Sequence, residues 1–362
     1  MEKRAYNFNA GPAALPLEVL QQAREELVNY RGIGMSLMEV SHRSKEYEQV
    51  NDETQQLFRE LMGIPEGYHV LLLQGGASTQ FSMIPMNLLP PGKTAGYVMT
   101  GSWAEKAYKE AKLIGEAQIV ASSEADNFAK IPSLKEISIH PDLAYLHITS
   151  NETIGGIQFQ QFPDTGNVPL VADMSSDILS RPIDVSSFAL IYAGAQKNLG
   201  PSGVTVVIVR NELVQDSPKH LPTMFRYSTH AANQSLYNTP PVYSVYMMNL
   251  VLKWVRDQGG AIEMERRNRE KTKLIYDMID QSGGFYRGVA HPEDRSQMNV
   301  TFRLNDEELE KQFVKESSAQ GFVGLKGHRS VGGLRASTYN AVPYDSCKAL
   351  AEFMGDFQKR NG

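Results

Sequence analysis

Apolar and polar positions along this chain follow two rhythms. Short unbroken apolar runs recur at 69–73 (HVLLL), 95–99 (AGYVM), 144–148 (AYLHI), 169–172 (PLVA), 188–193 and 204–209. Runs of that length without alternation are expected for strands covered on both faces. Most are separated by helical or loop segments. PLEVLQQAREELVNY (16–30) predicts a helix with Pro16 near its start. KEYEQVNDETQQLFRELMGI predicts a second amphipathic helix that ends at Gly63, and RGIGMSLMEVSHRS between the two predicts a loop. Strand–helix alternation of this kind predicts an α/β fold with a largely parallel sheet and helices on both sides.

From about Pro241 the pattern becomes continuously helical, broken only at Gly259–Gly260. Beyond it, MNVTFRL predicts a strand, DEELEKQFVKESSAQ a helix, GFVGL a strand, and residues 344–359 a final helix. The expected organisation is a Gly/Pro-rich segment over 1–16 that packs with the small domain, a large domain over 17–255, and a smaller α+β domain over 256–362. A chain of 362 residues exceeds what one core of about 250–300 residues accommodates, which also favours two domains.

Composition narrows the class. With 41% hydrophobic and 21% charged residues the chain is an ordinary globular one. A net charge of -5 argues against nucleic acid or a membrane surface as partner. Cys347 is the only cysteine, so no internal disulfide forms, and no Cys/His cluster has metal spacing. The N-terminal stretch has no apolar core of a signal peptide, and PPVYSVYMMNLVLKW is too short and interrupted to span a bilayer. A cytoplasmic location is the expectation.

The candidate chemistry lies just beyond the predicted strands. In an open parallel sheet, ligands bind beyond the carboxyl ends of the strands. Those positions hold Gly75-Gly76-Ala77-Ser78-Thr79, Thr149-Ser150-Asn151-Glu152-Thr153, Asp173, and Gln196-Lys197. A small-residue turn opening a helix suits a phosphate. Asp173 supplies a negative charge and Lys197 an amine. A phosphate, a ring nitrogen that holds a proton and an aldehyde that takes an amine describe pyridoxal 5'-phosphate. Trp103, just after another strand, is placed to stack on its ring. Taken singly, each is an ordinary turn, cap, core or snorkelling residue. Together, all at strand ends, they match one ligand.

These residues lie in longer motifs: NFNAGPAALP, EVSHRS, LLLQGGAS, GSWAEKA, SNETIGG, VADMSSDILSRPIDV, AGAQKNLGPSG, YNTPP and GHRSVGGLRASTYNA. Across essentially the whole chain they resemble the phosphoserine aminotransferase family, in the class V group of fold-type I pyridoxal phosphate enzymes. The resemblance implies that fold type for the large domain. It implies Lys197 as the Schiff-base lysine, Asp173 as partner of the ring nitrogen and Trp103 as the stacking ring. It implies Ala77, Ser78 and Gln196 at or beside the cofactor phosphate, and Thr153 as a further cofactor contact. Asn238 and Thr239 match residues that reach the neighbouring subunit's cofactor phosphate, which implies a homodimer. His42, Arg43, His328, Arg329 and Arg335 match substrate-anion positions. The implied reaction is ping-pong transfer of an amino group between glutamate and 3-phosphohydroxypyruvate, giving O-phosphoserine and 2-oxoglutarate in L-serine biosynthesis. 4-Phosphohydroxythreonine is a further substrate the resemblance allows.

Three rival readings are weaker. A cysteine desulfurase needs a mobile cysteine, and Cys347 falls at the start of a predicted helix. An alanine–glyoxylate or serine-type class V aminotransferase does not need two His-Arg pairs. A non-catalytic binding regulator needs a DNA-binding or partner module, and the sequence shows none.

Overall fold

A computed structural model describes residues 4–215 and 217–362. Its centre is a seven-stranded sheet in the order Tyr68–Leu73, Thr205–Arg210, Leu190–Gly194, Leu170–Asp173, Leu143–Thr149, Thr94–Met99, Glu116–Ser122. From Leu190–Gly194 to Glu116–Ser122 every neighbouring pair is parallel. Thr205–Arg210 is antiparallel to both its neighbours, so Tyr68–Leu73 points the same way as the parallel set. The connection over 195–204 is shorter than the dozen or so residues a parallel crossover needs, and this reverses the strand.

Side chains alternate between two cores. Val70, Leu72, Val98, Leu146, Ile148, Ile191 and Val206 face one. Leu71, Leu73, Tyr97, Tyr145, Val171, Tyr192 and Val207 face the other. This is why the strands read as unbroken apolar runs. The exception is Glu116–Ser122, which the apolar pattern does not predict. It is an edge strand and most of its side chains are at least partly exposed, so no burial imprints a pattern on EAQIVAS.

The helices begin and end where local chemistry directs. Lys45–Met62 starts at Ser44, whose hydroxyl accepts the Tyr47 amide at 3.4 Å, and stops at Gly63 with φ 60°. The first helix is shorter than predicted, Leu17–Glu25, and Val28 beyond it is exposed. The long C-terminal pattern resolves into Val242–Asp257 and Gly260–Asp280, turned at Gly259 and Gly260.

A separate apolar core joins Gly260–Asp280 to the helices Glu307–Ala319 and Tyr344–Asn361 and to a three-stranded antiparallel sheet. That sheet is ordered Arg287–Gly288, Asn299–Arg303, Leu334–Ser337. The predicted strand at 321–325 shrinks to Phe322–Val323, which pairs in parallel with Tyr6–Asn7. Phe8 is fully buried in the same core. The N-terminal segment then crosses back to the large sheet, where the Ala13 amide donates to the Gln196 carbonyl at 2.9 Å. No helix among the described residues is long and apolar enough to cross a membrane.

Candidate active site

The shared strand direction brings the residues after Leu73, Met99, Thr149, Asp173 and Gly194 to one edge of the sheet. Lys197 lies in the turn after Leu190–Gly194 and is half-buried. Its Nζ donates to Thr153 Oγ1 at 2.5 Å and stands 5.0 Å from the centroid of the Trp103 ring. Burial pushes this amine down to about 8; the Asp173 and Glu152 carboxylates oppose the shift and Arg335 adds to it. A lysine so placed has a far larger neutral, nucleophilic fraction near physiological pH than an ordinary lysine.

Asp173 closes the strand Leu170–Asp173 and is 5% exposed. Its Oδ1 accepts the Ser175 amide at 2.9 Å. Burial raises its pKa, while the Lys197 charge and the bonds from Ser175 pull it back. A cation held against it would favour the ionised form.

At the end of Tyr68–Leu73, the Gly75–Gly76 pair opens the helix Gly76–Leu88 with φ of 92° and 68°. A Cβ on Gly75 would stand 2.0 Å from Thr79 Oγ1, so only glycine fits this turn. The first helical amide to find a carbonyl is that of Thr79, bonded to Gly75 at 3.4 Å. The amides of Gly76, Ala77 and Ser78 precede it and carry the positive end of the helix dipole. Trp103 lies in the first turn of Ser102–Ile114, directly after Gly101.

The C-terminal sheet delivers Arg335 from Leu334–Ser337. Its Nη1 donates to the Thr153 carbonyl at 3.1 Å, while its Nε is buried with no partner. In the turn before it, His328 Nδ1 lies 2.7 Å from Ser330 Oγ and accepts the Ser330 amide at 3.3 Å. Since an amide only donates, the ring proton sits on Nε2. Burial and the charges of Arg335, Arg329 and Lys106 all lower the His328 pKa, favouring that neutral ring.

The predicted residues thus fall into two groups. Lys197, Thr153, Trp103 and Arg335 are joined by direct contacts, Lys197 and Asp173 by their charges, and His328 lies close enough to Arg335 and Arg329 for both charges to lower its pKa. Gln196 adjoins Lys197, and Ala77 and Ser78 follow the end of Tyr68–Leu73 at the same edge of the sheet. Asn238 Nδ2 donates to Gln74 Oε1 at 3.4 Å and the Thr239 carbonyl accepts from Gln74 Nε2 at 2.9 Å, which sets both beside the Gly75 turn. For His42 and Arg43, no hydrogen bond or ion pair among the described residues links their loop to this cluster. Arg43 is exposed and His42 Nε2 is buried without a partner.

Sequence reasoning passed over three residues. Glu152 is 1% exposed and accepts the amides of Trp103 and Ala104 at 3.4 and 3.0 Å. Lys106 sets its Nζ 4.1 Å over the Trp103 ring. Gly11 comes close enough that a Cβ there would be 3.3 Å from Lys197 Cγ. The signals were a carboxylate directly beyond a predicted strand, a lysine three places from Trp103, and a Gly-Pro pair in the N-terminal segment.

The edge fits pyridoxal phosphate. It offers a free helix N-terminus for the phosphate, a buried carboxylate, an amine of lowered pKa, and an indole face. Thr100 Oγ1, Thr149 Oγ1, Trp103 Nε1 and Arg335 Nε are all buried there without partners.

Comparison with known proteins agrees with this geometry. The family model described as aminotransferase class-V matches residues 5–350. The phosphoserine aminotransferase of Niallia circulans is 65% identical over 362 residues, covering 100% of both chains. The solved structure of phosphoserine aminotransferase from Bacillus circulans subsp. alkalophilus superposes with a TM-score of 0.98 at 65% identity, covering 99% of each chain. The pyridoxal phosphate-bound phosphoserine aminotransferase from Trichomonas vaginalis superposes with a TM-score of 0.92 at 39% identity, covering 97% of this chain and 100% of that one.

Proposed function

The chain belongs to the class-V aminotransferase family, and from that premise we infer that it is a phosphoserine aminotransferase using pyridoxal 5'-phosphate. It moves an amino group between glutamate and 3-phosphohydroxypyruvate, yielding O-phosphoserine and 2-oxoglutarate. The observation that carries this reading is the convergence of Lys197, Asp173, Trp103 and Arg335 at one strand edge.

The bound cofactor supplies an aldehyde to take up the amino group and a ring to draw off electrons as the Cα–H bond breaks. The protein's residues do the rest. Lys197 would hold the cofactor through its amine and, once freed, would take up and return the proton of the substrate Cα. Its pKa of about 8 suits it to both directions. Thr153 Oγ1 fixes the amine's position before and after transfer. Asp173 keeps the ring nitrogen cationic. The Ala77 and Ser78 amides grip the phosphate, with Gln196 alongside, and Trp103 covers one ring face.

Arg335 takes the α-carboxylate common to both amino acids. The Thr153 carbonyl holds one end of its guanidinium, and the free Nε is directed to a fork-like grip. His328 and Arg329 bind the distal group, which is a phosphate on one substrate and a γ-carboxylate on the other. His42 and Arg43 complete that subsite from a second subunit, and Asn238 and Thr239 reach the second subunit's cofactor phosphate. Exposed apolar side chains beside both stretches support such a homodimer. Met38 is 55% and Tyr237 45% exposed, apolar surface that a second subunit would cover. The same reading divides the chain into a large domain over 17–255, a small one over 256–362, and a segment over 1–16 tied to the small domain through Tyr6–Asn7. It places the enzyme in the cytoplasm and in L-serine formation.

Steady-state kinetics test the assignment. Glutamate and 3-phosphohydroxypyruvate varied against each other should give parallel double-reciprocal lines, the mark of the first product leaving before the second substrate binds. Intersecting lines, or turnover with pyruvate equal to that with 3-phosphohydroxypyruvate, would overturn it.

A further inference from the structure

We propose that Glu152 is a positioning residue for the reaction, fixing the start of the helix Ser102–Ile114 and thereby the stance of the Trp103 ring over Lys197. The proposal rests on the assignment above and extends it to a residue to which that assignment gives no role.

Ser102–Ile114 has no side-chain cap of its own, because Gly101 stands at its N-cap. The acceptor comes instead from another element. Glu152, in the short ladder Asn151–Glu152, sends its two oxygens to the Trp103 and Ala104 amides at 3.4 and 3.0 Å. A carboxylate at the positive end of a helix is the group electrostatics favours there. Its approach is close: a Cβ on Gly101 would lie 2.7 Å from Glu152 Cδ, at a φ of +157°. The Glu152 backbone is fixed as well, since its carbonyl accepts the Gly156 amide at 2.8 Å and the residue pairs with Ile157.

The next residue completes the link. Thr153 Oγ1 receives Lys197 Nζ, and the Thr153 carbonyl receives Arg335. One dipeptide thus sets the stacking ring with one side chain, the amine with the next, and the carboxylate-binding arginine with its carbonyl. Displacing the Glu152 carboxylate frees Trp103 while Lys197 and Arg335 remain held. Burial pushes Glu152 up to about 7, opposed by the two amides and by the Lys197 charge, and Asp173 adds to the rise. Protonation replaces one acceptor oxygen by a hydroxyl, so the cap weakens as pH falls through that value.

The test uses the two tryptophans, Trp103 and Trp254. In a Trp254→Phe background, emission reports Trp103 alone. Glu152→Ala and Glu152→Gln are compared with that parent as apoenzyme and as holoenzyme. The expected result is a shifted Trp103 emission and easier quenching in the apoenzyme, largest for Glu152→Ala. In the holoenzyme the circular dichroism of the cofactor's visible band weakens. Turnover falls about 10- to 100-fold, as for a reacting group displaced by about an ångström, with little change in KM. Glu152→Gln, which keeps one acceptor oxygen, falls between. The parent's pH profile loses its rise near 7 in both variants. If melting temperature drops while emission, dichroism, turnover and pH profile stay with the parent, Glu152 is only structural and the proposal is wrong. A parent that shows no visible band with added cofactor would instead overturn the enzyme assignment.

Discussion

Replacing Asp173 by Asn should move two properties of the site in opposite directions. The substitution preserves shape, and the Asn carbonyl oxygen can still accept the Ser175 amide that Oδ1 now takes at 2.9 Å. What disappears is the charge. The ring nitrogen of the cofactor then loses a charge-assisted hydrogen bond worth about 1.5–3 kcal/mol, which weakens cofactor binding about 10- to 150-fold. Lys197 responds the other way. Asp173 is the foremost group holding its pKa up against burial, so the amine falls below its present value of about 8. In the wild-type apoenzyme about a tenth of Lys197 is neutral near pH 7, and Asp173→Asn can raise the neutral fraction by up to about tenfold. Stopped-flow capture of pyridoxal phosphate by the apoenzyme, followed at its visible band across pH, measures both effects. Faster capture on the acid side together with faster escape is expected. Affinity within about twofold of wild type and an unmoved pH midpoint would refute the placing of Asp173 between ring nitrogen and lysine.

Three further outcomes rest on single contacts. Arg335→Lys keeps the charge but loses the planar fork, so kcat/KM for glutamate and for O-phosphoserine should both fall about 10- to 100-fold; loss confined to O-phosphoserine would move Arg335 to the distal anion. Gly75→Ala forces a Cβ to 2.0 Å from Thr79 Oγ1 and 2.7 Å from Thr79 Cβ at φ +92°, so cofactor affinity and melting temperature should both drop; adding Thr79→Ala removes the nearer contact but leaves the 2.7 Å one and about 1–2 kcal/mol of left-handed strain, so recovery should be partial at most, and full recovery would contradict the geometry. His147 is fully buried and its pKa is pushed down from 6.5 to about 3. The unfolded chain therefore takes up a proton that the folded one refuses, and stability falls as pH drops below 6.5, by about 2 kcal/mol at pH 5. Urea unfolding of the wild type and His147→Phe at the two pH values should show that much less acid loss in the variant; equal slopes would refute it.

What the sequence revealed of this architecture was what burial and strand ends imprint on it. Apolar runs buried on both faces, such as Val70–Leu73 and Leu190–Ala193, were legible because nothing polar interrupts them. The residues just beyond them fell on one edge because parallel strands share a direction. The reversal of Thr205–Arg210 was not legible, since an apolar run carries no sign of which way it points. Glu116–Ser122 escaped because an exposed edge strand has no apolar rhythm. At the site, Lys197 and Asp173 stood out as charges beyond apolar runs. Glu152 met the same criterion, yet its role depends on the distant amides of Trp103 and Ala104, a contact that no local pattern predicts. His42 and Arg43 bear on the same limit. Their chemistry suits an anion, but no hydrogen bond or ion pair among the described residues ties them to Arg335, and nothing local in the sequence says what they face.

The most direct test of the account is the visible spectrum of the purified holoenzyme as O-phosphoserine, and separately alanine, is added without any keto acid. The account predicts that O-phosphoserine bleaches the cofactor band as the amino group is taken up, and that alanine leaves it standing. Equal bleaching by alanine would contradict an anion-selective pocket built on Arg335, His328 and Arg329. No visible band even with added pyridoxal phosphate would contradict the role of Lys197, and with it the central claim.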